Sequence, residues 1–289
     1  MSGLPGVLRF GVYPDFALAA DGLVWVSNVE PGIVGFDPLS GEQRVPVPTG
    51  RIKVAMEYGL GSLWAVELST GGSTTSLLRI EPGTGQVLVR KIIPLVVSNS
   101  SLAVTEDTVW TLNGIFGTPA RELAALSLDG AVKQIHVAPD GATAVRAAFG
   151  SLWVSTTDAV HRIDPADGTT LATVDTGRGS GLMTVTEDAV WVLETLEGTV
   201  SRIDPETDTV VATVRVSDGP IIRGDIAAGP GSIWVRTSKE LATGIDTATN
   251  TATRVLGPAV QGGGGIAVAE GVVWITTGHG HMIYRVPIS

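Results

Sequence analysis

Short apolar runs of about five to seven residues, rich in Val, Ile and Thr, recur along the whole chain between polar turns. This is a strand pattern. Residues 183–216 show its order most plainly. A strand (a) covers 183–186 and a second (b) covers 189–193. A third (c) covers Thr199–Asp204 and a fourth (d) covers 210–216, with turns at 187–188, 196–198 and 205–208. Strand b carries a tryptophan, and the same sentence of sequence is repeated around Trp25, Trp64, Trp110, Trp153, Trp191, Trp234 and Trp274. The gaps are 39, 46, 43, 38, 43 and 40 residues, 249 over six gaps and 41.5 on average. Several short strands repeating at that period predict a β-propeller. Seven such units use the whole length, so residues 1–289 are expected to form a single domain, an all-β ring of seven blades with four antiparallel strands each.

The chain starts and ends out of phase. Residues 7–12 read as an extra strand d, while the last unit has strands a (266–269), b (272–276) and c (282–287) and no d. The extra strand is therefore expected to complete the seventh blade and to remove an open sheet edge. The c–d turns repeat as Asp37-Pro38, Glu81-Pro82, Asp164-Pro165 and Asp204-Pro205, in which the acid accepts backbone N–H groups and Pro presets φ. The tryptophans read as wedges between blades. Burying about 200 Å² of ring contributes up to about 5 kcal/mol.

Val-Trp-Val followed by Arg-Ile-Asp-Pro and Val-Ala-Thr-Val resembles the repeats of YVTN-type propellers and of streptogramin B (virginiamycin B) lyase-like propellers. Ser151-Leu152-Trp153-Val154, His161-Arg162-Ile163-Asp164-Pro165 and Ser201-Arg202-Ile203-Asp204-Pro205 carry the likeness most clearly. It covers the whole chain and is specific for the scaffold rather than for an activity. The resemblance implies a histidine/glutamate site with a divalent metal such as magnesium near the tunnel mouth. His279 is expected on the matching face, although the family's catalytic histidine motif does not align here.

Function in a repeat protein is sought where the repeat is broken. Seven residues before each tryptophan the column reads Leu18, Glu57, Ala103, Arg146, Thr184, Ala227 and Ala267. Glu57 and Arg146 interrupt small or apolar neighbours on the strand expected to be innermost. Eight before stands an apolar column, and nine before, Asp225 breaks Phe16, Ala55, Ser101, Ala144, Leu182 and Gly265. Buried charges persist when paired or hydrated, and they concentrate at sites. Three after the tryptophan stand Asn28, Glu67, Asn113, Thr156, Glu194, Thr237 and Thr277. All are polar, as loop caps or as site groups. The d–a loops add Tyr13, Asp15, Arg51, Lys53, Arg178 and Arg223, and glycine runs at 177–181 and 262–265 permit close backbone approach. The longest excursion, 113–121, carries Ile115, Phe116 and Pro119, apolar groups suited to roofing a pocket. His136 and His161 read as structural or exposed. His279 and His281 flank Gly280 in the last b–c loop, with imidazole the natural acid/base group at neutral pH.

Composition narrows the classes. There is no cysteine, so disulfides and thiolate chemistry are excluded. The net charge is −10 with no basic run, which argues against nucleic acid. No stretch is long and apolar enough for a spanning helix, and the start has no signal-peptide pattern, so a cytoplasmic monomer is expected. The expected function is a lyase- or isomerase-like enzyme of natural product or antibiotic metabolism, acting on a small-molecule substrate at the tunnel mouth. Its catalytic groups are drawn from His279, Glu57, Asp225 and Arg146. Tyr13, Asp15, Arg178, Glu194 and Phe116 are the substrate-binding candidates. The alternative is a non-catalytic propeller that binds a peptide or protein on its loop face.

Overall fold

The computed structural model describes residues 6–9, 13–52, 56–68, 74–114, 120–258, 260 and 262–288; the side chains of 98–100, 180 and 279 also lie outside this description. It is a seven-bladed β-propeller, each blade an antiparallel sheet of four strands in the order a-b-c-d. Blade 5 consists of Ser180–Val185, Val190–Glu194, Thr199–Asp204 and Thr209–Arg215. Strand b ends one residue later than the apolar run, because Glu194 pairs with both Ser180 and Thr199. In blade 2 the inner strand comes in two pieces, Arg51–Ile52 and Glu57–Gly59, both paired with Ser62–Leu68. The inner strands of blades 3 and 4 touch through a parallel bridge between Ser100 and Ala144. No helix among the described residues is long and apolar enough to cross a membrane.

Ring closure follows the expected scheme. Val7–Arg9 pairs antiparallel with Met282–Tyr284 as the outer strand of blade 7, and residues 10–12 lie outside the described residues. Val7 and Leu8 also pack onto the cores on either side of that blade. Truncation after Arg9 is therefore expected to cost at least about 2 kcal/mol, the lower end for lost core aliphatics. Urea unfolding of the truncated chain against the full chain measures it.

The hydrophobic interior is divided into seven clusters, and each joins two neighbouring blades. Trp25 packs with Met56 and Leu63 of blade 2, Trp153 with Met183 and Val190 of blade 5, and Trp274 with Val24 and Val34 of blade 1. All seven tryptophans are at most 2% exposed. Most of their indole N–H groups are satisfied locally, for example by the carbonyls of Ala20, Gly59 and Ala148 at 3.0–3.2 Å, while that of Trp274 donates to the Pro38 carbonyl of blade 1 at 3.2 Å. In four blades an arginine from strand c lies over the indole: Arg79, Arg162, Arg202 and Arg285, at 5.1–5.5 Å. Arg162 and Arg202 then reach the c–d turn of the next blade, bonding Asp208 and Asn250 at 3.1 Å. Those two residues take the left-handed position that Gly41, Gly85 and Gly168 hold in other turns. The Arg-Ile-Asp-Pro repeat is thus a latch between blades.

Candidate functional site

The free edges of the inner strands line the central tunnel, and backbone groups on such an edge need partners. Polar side chains supply some of them across the gaps between blades. Arg146 Nε donates to the Met183 carbonyl of blade 5 at 3.1 Å, and its Nη1 to its neighbour Val145 at 2.9 Å. The Thr184 hydroxyl accepts the Ala228 N–H of blade 6 at 3.1 Å, and the Asp225 carboxylate accepts the Ile266 N–H of blade 7 at 2.9 Å. Among the described residues, Glu57 forms no such bond to a neighbouring blade. Its carboxylate accepts a long bond, 3.3 Å, from the adjacent Tyr58 N–H.

These groups share one cavity of about 600 Å³. Its wall includes Asp15, Leu18, Met56, Glu57, Arg146, Thr184, Arg223 and Asp225. Burial among Met56, Leu182, Ile226 and the small inner-strand residues dominates the electrostatics. It raises the Glu57 carboxyl above the ordinary range, with the Arg146 charge and the Tyr58 N–H opposing. It raises Asp225 to about 6, opposed by the Ile266 and Ile226 N–H groups and by Arg146 and Arg236. Two carboxyl groups whose hold on a proton is strengthened by burial thus share one cavity with the Arg146 guanidinium, which opposes the rise in both.

Asp225 gives a pH prediction. Its carboxyl holds a proton more tightly folded than unfolded, so its contribution is greatest below its ordinary value of 3.8 and is lost as pH rises through about 6. Asp225→Asn keeps an acceptor for Ile266 and has no charge to bury. The variant is expected to match the parent near pH 4 and to exceed it by up to about 3 kcal/mol at pH 7. Melting curves across that window measure the difference; a variant less stable than the parent at pH 7 contradicts the burial argument.

A second hollow, about 790 Å³, opens on the d–a loop face and is lined by Tyr13, Asp15, Asn28, Glu30, Arg51, Arg223, Gly263 and Gly278, among others. Asp15 and Arg223 line both cavities and mark the neck between them. The Tyr13 ring sits 4.6 Å from that of His281. His279 belongs to the single turn of 3-10 helix, Gly278–Gly280, at this mouth, with its side chain outside the described residues; Phe116 lies outside them altogether.

Other candidates stand apart. Arg178 is exposed, and the described lining of neither cavity contains it or Glu194. Glu194 is fully buried within blade 5. Burial raises its carboxyl, while the Ser201 and Thr199 hydroxyls and the Gly177 N–H oppose the rise. None of them completes a hydrogen bond of good geometry. Its column neighbours bond d–a loops: Asn28 accepts the Ile52 N–H, Glu67 the Gly50 N–H and Asn113 the Val96 N–H. His161 is half-buried, and burial lowers its pKa. The His136 ring lies 5.8 Å from that of Trp110.

Arg236 went unnoticed in the sequence. It is 2% exposed, directly opposite Asp225 in the sheet, and donates to the Arg223 carbonyl at 2.7 Å and to the Gly262 carbonyl. The signal was present: two residues after each tryptophan stand Ser27, Val66, Leu112, Ser155, Leu193, Arg236 and Thr276. One charge breaks that column.

Among the described residues no group of three or more His, Asp or Glu side chains is placed to hold a metal ion. The His279 side chain, which the resemblance would place at a magnesium site, lies outside the described residues, and no step is routed through a metal. No protein-family model and no curated protein sequence matches the chain at a significant level.

Proposed function

We propose that this propeller is a small-molecule enzyme of lyase or isomerase type, working by acid/base chemistry in its tunnel and related to streptogramin B lyase-like propellers. One observation carries the reading. Glu57 lines a cavity of about 600 Å³ with a burial-raised carboxyl and, among the described residues, staples no neighbouring blade. Scaffold duty accounts for part of Arg146 and Asp225 and leaves Glu57 unexplained. In this reading Glu57 takes a proton from a carbon or oxygen of the substrate. Asp225, near its midpoint at about pH 6, returns one. Arg146 holds the oxygen on which negative charge develops. His279, in the turn at the mouth, is the further candidate acid.

The inter-blade bonds of Arg146 and Asp225 favour a second reading, a non-catalytic YVTN-type propeller that binds a peptide or protein on its loop face. The two are separated by assaying the full chain on a streptogramin B depsipeptide and a panel of smaller lactones. An intramolecular elimination opens the ring without changing its mass, so a product of equal mass and altered retention supports the enzyme. No turnover anywhere in the panel between pH 5 and 9 overturns it.

A further inference from the structure

At least seven of the fifteen arginines are committed to tryptophans, an acid or backbone carbonyls. Arg79, Arg162, Arg202 and Arg285 lie on tryptophans, Arg90 pairs with Glu67, and Arg146 and Arg236 bond backbone carbonyls. Arg51 and Arg223 differ. Both are exposed, both line the hollow at the mouth, and neither guanidinium forms a hydrogen bond or ion pair among the described residues. Arg223 is also held in an unusual pose. Its φ is +58°, in the left-handed region that an arginine rarely adopts. The buried Arg236 bonds its carbonyl. Its side chain runs along Gly263, where a Cβ would stand 3.2 Å from Arg223 Cδ. Gly263 is therefore the track on which this side chain lies. Strain, a buried clamp and a cleared track all hold one unpaired cation at the neck.

Tyr13 completes the surroundings. It is 55% exposed, lines the same hollow and is backed by His281. Asp15 and Glu30 are there too, so the hollow carries two acids against two arginines. That balance suits a single negative charge and disfavours a polyanion.

We infer that the mouth hollow binds a flat ring bearing one carboxylate, with Arg223 and Arg51 on the carboxylate and Tyr13 against the ring. A planar fork matches a carboxylate bidentately, and a half-open phenol offers a stacking face. The inference rests on the proposed enzyme reading only for treating this ligand as a substrate or a substrate's end group.

Calorimetric titration of the full chain tests it, with 2-naphthoate, its neutral analogue 2-naphthalenemethanol, and inorganic phosphate as probes. Naphthoate is expected to bind at least about tenfold more tightly than the alcohol, the scale of a charge-assisted hydrogen bond, and more weakly as salt rises. Phosphate is expected to compete poorly. Arg223→Met and, separately, the exposed Arg51→Met should each erase most of that preference. Arg223→Gly should do the same without lowering the melting temperature, since glycine accepts the left-handed backbone. Equal binding of acid and alcohol, tight phosphate binding, or a preference that survives both methionine variants overturns the site. Selective naphthoate binding without turnover of any lactone leaves this site standing and fails the enzyme reading. Turnover with no naphthoate preference does the reverse.

Discussion

Trp191→Ala is expected to cost about 3–5 kcal/mol of folding stability, the range for removing a buried aromatic side chain. The ring is fully buried in strand b of blade 5 and packs with Ile226, Ile233 and Val235 of blade 6. Its loss opens a void between two sheets, and sheets held by their own hydrogen-bond ladders close such a void poorly. Two further losses follow. The indole N–H bond to the Thr186 hydroxyl at 3.2 Å disappears, and the Arg202 guanidinium, 5.5 Å from the ring, is left over empty space. Arg202 also reaches Asn250 in the next blade's turn, so the latch between blades 5 and 6 loosens with the wedge. Denaturant unfolding measures the loss, and Leu196→Ala, at a side chain 52% exposed, is the control expected within about 0.5 kcal/mol of the parent. A loss below about 1 kcal/mol for Trp191→Ala would mean that the blades slide together and that the tryptophan is not what spaces them.

The ring was legible in the sequence because strand alternation and one wedge per blade both leave marks at a fixed period. Trp191 and its six equivalents gave the blade count, and the missing outer strand of the last unit gave the closure through Val7–Arg9. The tunnel charges were legible for the same reason: Glu57, Arg146 and Asp225 break columns otherwise small or apolar. What each of them does was not, because it depends on the gap between blades, a distance that no column records. Arg146 reaches Met183 and Asp225 reaches Ile266 across such gaps, while among the described residues Glu57 forms no such bond. Glu194 looked equivalent to a site acid, yet its strand register buries it inside blade 5, away from both cavities. Tyr13 and His281 meet because closing the ring brings residues 268 positions apart side by side. Arg223 was visible as a loop cation, but its left-handed backbone, its carbonyl bond to Arg236 and its side chain lying along Gly263 have no signature in the column.

Glu57→Gln is expected to remove about 10²–10⁴-fold of turnover in the ring-opening assay, the usual yield of a positioned acid/base group. Glutamine has nearly the same shape and keeps an acceptor for the Tyr58 N–H, so the tunnel wall should stay in place. The same change should stabilise the fold at neutral pH. The Glu57 carboxyl is raised chiefly by burial, so its ionised form is a cost that the folded chain bears and the unfolded chain does not. That cost is absent at acid pH, where the carboxyl is protonated, and grows as pH rises through the raised value. The amide removes it. A carboxylate whose folded pKa is held below its ordinary value behaves oppositely: neutralising it loses a favourable charge interaction and lowers the melting temperature at pH 7. The decisive pattern is therefore turnover lost with stability gained at pH 7, the difference in stability vanishing toward acid. If Glu57→Gln retains turnover, the proton is carried by another group; if it melts lower at pH 7 than the parent, Glu57 serves the scaffold and the acid/base assignment falls.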